Sequence, residues 1–146
     1  MKMLPDTKDS PVIRTDFENQ SAWETICDLI RAPVRVFGQD LFAYVEVEFV
    51  EDTEFRDLST EELMRRAPMG DEYGASCLLV VDKIATRHPE FPILVVDLWD
   101  ERGRTFRTIP SEILGIECNL SLSNMDFRDF ANSTDQDGVF RGFRRP

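Results

Sequence analysis

Cys77-Leu78-Leu79-Val80-Val81-Asp82-Lys83-Ile84, then Ile93-Leu94-Val95-Val96-Asp97-Leu98-Trp99, then Arg104-Thr105-Phe106-Arg107-Thr108-Ile109: these three runs decide the fold. Short, continuous Leu/Val runs bounded by Pro and Gly read as strands buried on both faces. Asp100-Glu101-Arg102-Gly103 between the second and third runs is a four-residue turn, with Gly available where positive φ is wanted. Residues 93–109 are therefore expected to form a hairpin, and residues 77–84 a neighbouring strand. On this reading Asp82 and Asp97 lie within their strands.

Working outward toward the N-terminus, the pattern alternates from Phe42 to Val50. Val45, Val47 and Phe49 fall on one side, Tyr44, Glu46 and Glu48 on the other. That is a half-buried strand with a row of carboxylates facing water, which also discourages edge-to-edge pairing. Before it, Val12 to Asp16 reads as the first strand. Ser21 with Glu24 reads as a capping box for a helix whose apolar face is Ala22, Trp23, Ile26, Cys27 and Ile30. Ala32-Pro33 stops that helix. Val34 to Phe37 reads as a short strand and Gly38 to Asp40 as a turn. Ser59 with Glu62 is a second capping box, with Leu58 stapled to Leu63. Met69 to Gly74 is a connecting loop.

Toward the C-terminus, Ser111 to Leu114 reads as one helical turn ended by Gly115, and Asn119 to Ser123 as extended. Ser123 or Asn124 is expected to cap a last helix with Phe127, Phe130 and Ala131 on its face. Asp135 to Gly138 turns the chain, and Val139 to Phe143 brings two aromatics back toward the sheet. The fold class is thus α/β or α+β. The expectation is a single domain over residues 11–143, with residues 1–10 a loose tail and 144–146 frayed. A central mixed sheet of about five strands, including the hairpin, carries three to four short helices. Core positions are Ile26, Ile30, Val47, Phe49, Val80, Val81, Leu94, Val95, Val96, Phe106 and Phe127.

The totals narrow the function. A chain of 146 residues buries roughly 70% of its unfolded surface and needs neither disulfide nor metal to hold a core. Cys27, Cys77 and Cys118 have no metal-ligand spacing and each sits in an apolar pattern, so they read as reduced core thiols of a cytoplasmic protein. No stretch reaches the ~18 apolar residues of a membrane span, and no secretory leader is visible. The net charge of −11 argues against nucleic acid as partner. It suits a basic protein. Between residues 40 and 62, Asp40, Glu46, Glu48, Glu51, Asp52, Glu54, Asp57, Glu61 and Glu62 face one base, Arg56. Glu46, Glu48, Glu51, Asp52, Glu54 and Asp57 are the candidate partner-binding face, whose field would steer a cationic protein, as an inhibitor or immunity-like binder does.

A second reading makes the protein an enzyme or small-ligand binder. Asp16, Asp82 and Asp97 sit near strand ends, where open α/β sheets bind ligands, and three carboxylates there could hold a divalent metal. Asn119 and Asn124 would join them. Against it, no phosphate loop, no G-x-S-x-G and no EF-hand is present: Ser133 to Gly138 starts like a Ca²⁺ loop, but Arg144 stands where the bidentate acid belongs. His88 is the lone histidine and lies beside Pro89 in a loop. No cofactor or metal is implied, and the balance leans away from an enzyme.

Residues 104–112, 116–127 and 135–143, with Ile13 to Asp16, the Trp23 helix and the Leu-Val-Val-Asp strands, resemble a family of small uncharacterised proteins. It is a domain of unknown function found in actinobacteria and fungi. The likeness covers most of residues 11–143. It implies no activity, cofactor or active site. Cys118 stands where the resemblance leads one to expect a second asparagine before Leu120.

Overall fold

The computed structural model describes residues 1–35, 41–69 and 74–143. In chain order, β1 (Ser10–Arg14) leads into α1 (Gln20–Arg31). The short strands β2 (Val34–Arg35) and β3 (Phe42–Ala43) precede β4 (Val47–Val50). A 3-10 turn at Thr53–Phe55 leads to α2 (Thr60–Arg66), β5 (Cys77–Val81) and α3 (Lys83–Arg87). The hairpin β6 (Ile93–Asp97) and β7 (Thr105–Thr108) follows. A second 3-10 turn at Pro110–Glu112 runs into α4 (Ile113–Ser121), then α5 (Phe127–Ala131) and β8 (Val139–Phe140). Six strands form one mixed sheet in the order β4-β1-β5-β6-β7-β8, and β2 with β3 forms a separate ribbon. This is the expected single-domain mixed-sheet architecture, with six strands because Val139 and Phe140 pair with β7, and with five α-helices among the described residues.

The apolar runs are continuous because the sheet is covered on both sides. Val12, Cys77, Leu79, Val81, Ile93 and Val95 face a core built with α1, α3, α4 and α5. Ile13, Leu78, Val80 and Val96 alternate to the other face, under Leu63 of α2, Phe55 and Leu4. Each such side chain, fully buried, contributes about 1.5–3 kcal/mol. Phe106, Phe130 and Phe140 pack ring to ring at 5.3–6.4 Å and fasten β8 and α5 to β7.

Several local expectations are corrected. The strand foreseen over 42–50 is broken: Phe42 and Ala43 pair with β2, whereas Val47 to Val50 pair with β1. α1 starts before the Ser21 box, because Asn19 Oδ1 accepts the Ala22 amide at 3.0 Å and caps it first. β5 stops at Val81, since Asp82 caps α3, a helix hidden in a run that reads as strand. Gly115 ends nothing. It sits inside α4, where Ile113, Ile116, Glu117 and Leu120 repeat on one helical face. α5 is capped by Asp126 in a box with Asp129, not by Ser123 or Asn124. Cys118 is exposed, unlike Cys27 and Cys77. The opening segment is laid down rather than loose: Leu4 is buried and its amide bonds the Arg66 carbonyl at 2.9 Å. The Ser59 cap and the hairpin stand where expected. The turn at Gly38 to Asp40, most of the Met69 to Gly74 loop and residues 144–146 lie outside the described residues.

Strand direction sets up the two ends of the sheet. β4, β1 and β5 are parallel. β6 is antiparallel to β5, with Cys77 opposite Asp97. Arg14, Asp16 and Asp82 therefore mark one end, and Ser10, Cys77 and Asp97 the other.

Candidate functional site

At the end holding Asp16 and Asp82, the polar groups are tied to one another. The buried Arg14 gives Nε to the Asp16 carbonyl (2.8 Å) and Nη1 to Gln20 (2.7 Å) and Glu51 (3.3 Å). Its guanidinium lies over Phe17 and Trp23, 4.6 and 5.4 Å from the ring centres. The Asp16 carboxylate accepts the Glu18 amide and the Thr86 hydroxyl. Burial alone would raise its pKa; those two donors, with Arg87 and Lys83 near, bring it below the usual value. Asp82 caps α3 and holds Arg107 with both oxygens, at 2.7 and 2.9 Å. Glu18 meets Lys83 and Arg87, and Asp57 meets Lys83. The hollow lined by Phe17, Glu18, Arg56 and Asp57 measures about 120 Å³.

The opposite end opens into a groove of about 600 Å³. Its walls come from the residues leading into β1, β4 and β5, from the β6–β7 turn, and from α4 and the link to α5. Glu117 lies at the floor because it occupies a core-facing position of α4. Its carboxylate accepts the Ser10 hydroxyl at 2.5 Å, and Ser10 Oγ lies 3.5 Å from Cys77 Sγ. Burial pushes the Glu117 carboxyl up, against the opposing pull of the Ser10 hydroxyl and amide. Burial likewise raises the Cys77 and Cys118 thiols. Asp97 points its oxygens at the amides of Trp99, Asp100 and Glu101, closing the turn.

Asp9, Glu46, Asp97, Asp100, Glu117 and Asp126 line this groove against one base, Lys8. Among the described residues, Asp9, Glu46 and Asp100 carry no ion pair; Asp126 meets Arg128. Tyr44, Trp99 and Leu122, all largely exposed, line it as well. The combination is a negative, partly apolar trough with aromatic surface, suited to a cation on an aliphatic stem.

The residues anticipated from sequence are scattered. Of the six acids offered as a partner face, Glu46 lines the groove and Glu48 stands exposed on β4. Glu51 pairs with Arg14 and Asp57 with Lys83, at the other end. Asp52 pairs with Lys2 and caps the 3-10 turn that contains Glu54. Of the alternative set, Asp16 and Asp82 lie at the opposite end from Asp97, so the three share no centre. Asn119 turns its amide back on the Gly115 carbonyl at 2.7 Å, and Asn124 is exposed, while Ser121 and Ser123 line the groove. Sequence reasoning missed Asp9, Asp100 and Glu117. Glu117 did carry a signal, as the one acid on the apolar face of α4. Among the described residues no cluster of three or more His, Cys, Asp or Glu is placed to hold a metal ion, and no helix is long and apolar enough to cross a membrane.

Over residues 9–143 the chain matches the family described as Domain of unknown function (DUF6924), and it belongs to that family. No curated protein and no solved structure matches it.

Proposed function

We propose that the protein is a binding module that takes a basic stretch of another protein into the groove at the Ser10–Cys77–Asp97 end. The observation that carries this reading is the pairing of charges. Acids at the opposite end are spent on internal partners, whereas Asp9, Glu46 and Asp100 are left to meet a ligand. A net charge of −11 would speed encounter with a cationic partner, and the groove would supply register. Tyr44, Trp99 and Leu122 offer apolar contact for the stems of Lys or Arg side chains. Masking a basic surface in this way is the action of an inhibitor or immunity-like protein. The cytosol suits three cysteines without disulfides.

Catalysis on Asp16, Asp82 and Asp97 would need one centre for all three, and the register of β5 and β6 separates them. The groove therefore supports recognition better than turnover.

The test is a titration with a decalysine peptide at low and high salt. Binding should weaken with salt, and Asp9→Lys/Glu46→Lys/Asp100→Lys should weaken it on the order of 100-fold, at roughly 1 kcal/mol per opposed charge. Reversing three exposed acids elsewhere, Glu24→Lys and Asp28→Lys on α1 and Glu61→Lys on α2, should leave most of the affinity. Equal loss in both variants would mean that net charge alone attracts the peptide, and the groove reading would fall.

A further inference from the structure

The groove's acidic wall continues into an open sheet edge. Among the described residues β4 has a strand neighbour, β1, on one side only. Tyr44, Val45 and Glu46 line the groove and lead directly into Val47, which stands opposite Ser10 beside the groove floor. Side chains alternate along this segment. Val45, Val47 and Phe49 pack toward α1, which leaves Glu46 and Glu48 on the other face, both exposed. An edge strand presents unpaired main-chain N–H and C=O groups, a template for another strand.

We propose that the basic segment binds as an added β-strand along β4, with cationic side chains at alternate positions opposite Glu46 and Glu48 and one end turning into the groove. The proposal rests on the reading of the groove given above and names how the partner is held. In this mode main-chain hydrogen bonds give affinity and alternate side chains give specificity. Charge selects the occupant. A second copy of this chain would set Glu46 and Glu48 against their own kind, and like charges directly opposed across strands destabilise the pair. A strand with Lys or Arg at every second residue turns the same positions into favourable pairs.

Three synthetic peptides test it: an alternating Lys-Thr decapeptide, and the same peptide N-methylated at every Lys or at every Thr. Methylation removes the amide donors of one strand edge and keeps the charge. At least one methylated form should bind about tenfold or more weakly than the parent. Glu48→Lys, outside the groove, should cost a similar factor, and the amides of Val47 to Val50 that point away from β1 should gain protection from hydrogen exchange in the complex. If both methylated peptides bind as tightly as the parent while the triple groove variant still weakens binding, strand addition is overturned and the groove reading stands. If none of the peptides binds at low salt, both fall.

Discussion

The two ends of the central sheet use charge in opposite ways. At the Asp16 end, cations and anions sit in matched sets: Arg14 with Glu51, Asp82 with Arg107, Lys83 and Arg87 with Glu18. At the Asp97 end, acids collect around a groove with a single lysine. Open α/β sheets with parallel strands commonly place ligands at the carboxyl ends of those strands. Here that end is closed by its own side chains, and the free valences lie at the other. A carboxylate at a strand end therefore says little until its partner is known.

Breaking the closed end should produce the largest effect. Arg14→Met keeps the length of the side chain and deletes the guanidinium. The Asp16 carbonyl and the Gln20 side chain lose a donor, and Phe17 and Trp23 lose their cation. Glu51, half exposed, rehydrates, so the cost falls short of a stranded buried charge. A loss of about 3 kcal/mol is expected, read as a fall in Tm of about 6–12 °C for a chain of this size. Decalysine binding by the folded variant should not change. A variant that keeps its Tm would show the Arg14 network to be decorative.

The same contrast explains what could be read in advance. The hairpin, the Ser59 cap and the buried runs were legible because periodicity and turn chemistry are local. Strand direction is not local, and it decides which aspartates meet. Nothing within the Ile93–Asp97 run says that β6 lies antiparallel to β5, which puts Asp97 beside Cys77 and away from Asp16. Asp82 illustrates the limit. Its Leu-Val-Val-Asp context matches that of Asp97, yet one caps a helix and binds Arg107 while the other closes a turn. Gly115 hides Glu117, because in sequence it reads as a helix end, whereas a glycine with open space around it is tolerated inside a helix that packing holds.

Titration sharpens the comparison, since the two ends carry acids displaced in opposite directions. Asp16 sits below its ordinary value of 3.8, so the unfolded chain binds the more protons in the interval beneath that value. Its contribution to stability is present above pH 3.8 and is lost as the pH falls through the folded pKa. Glu117 sits above its ordinary value of 4.5, so the folded chain binds the more protons there. Stability from this group is full below pH 4.5 and is lost as the pH rises through the folded pKa. Urea midpoints measured across pH should show Asp16→Asn flattening the acid limb. Glu117→Gln, which keeps an acceptor for Ser10, should remove the decline above pH 4.5 and leave the variant more stable than the parent at pH 8. A Glu117→Gln curve parallel to the parent would mean that the carboxylate is fully hydrated in the groove.

The smallest effect is the most telling, because its sign is unusual for the loss of charged groups. Asp9→Asn, Glu46→Gln and Asp100→Asn each delete a carboxylate that has no ion pair among the described residues. Removing an acid that holds a partner costs stability; removing one that only repels its neighbours returns some. Each change should raise stability by a few tenths of a kcal/mol at low salt, and the gain should shrink as salt screens the repulsion. The triple variant should thus be more stable than the parent while binding decalysine more weakly. That pairing is what a site maintained for a ligand requires: its unpaired charges cost stability in the free protein and are compensated in the complex. A triple variant less stable than the parent at low salt would place these acids in the service of the fold and leave the groove without its argument.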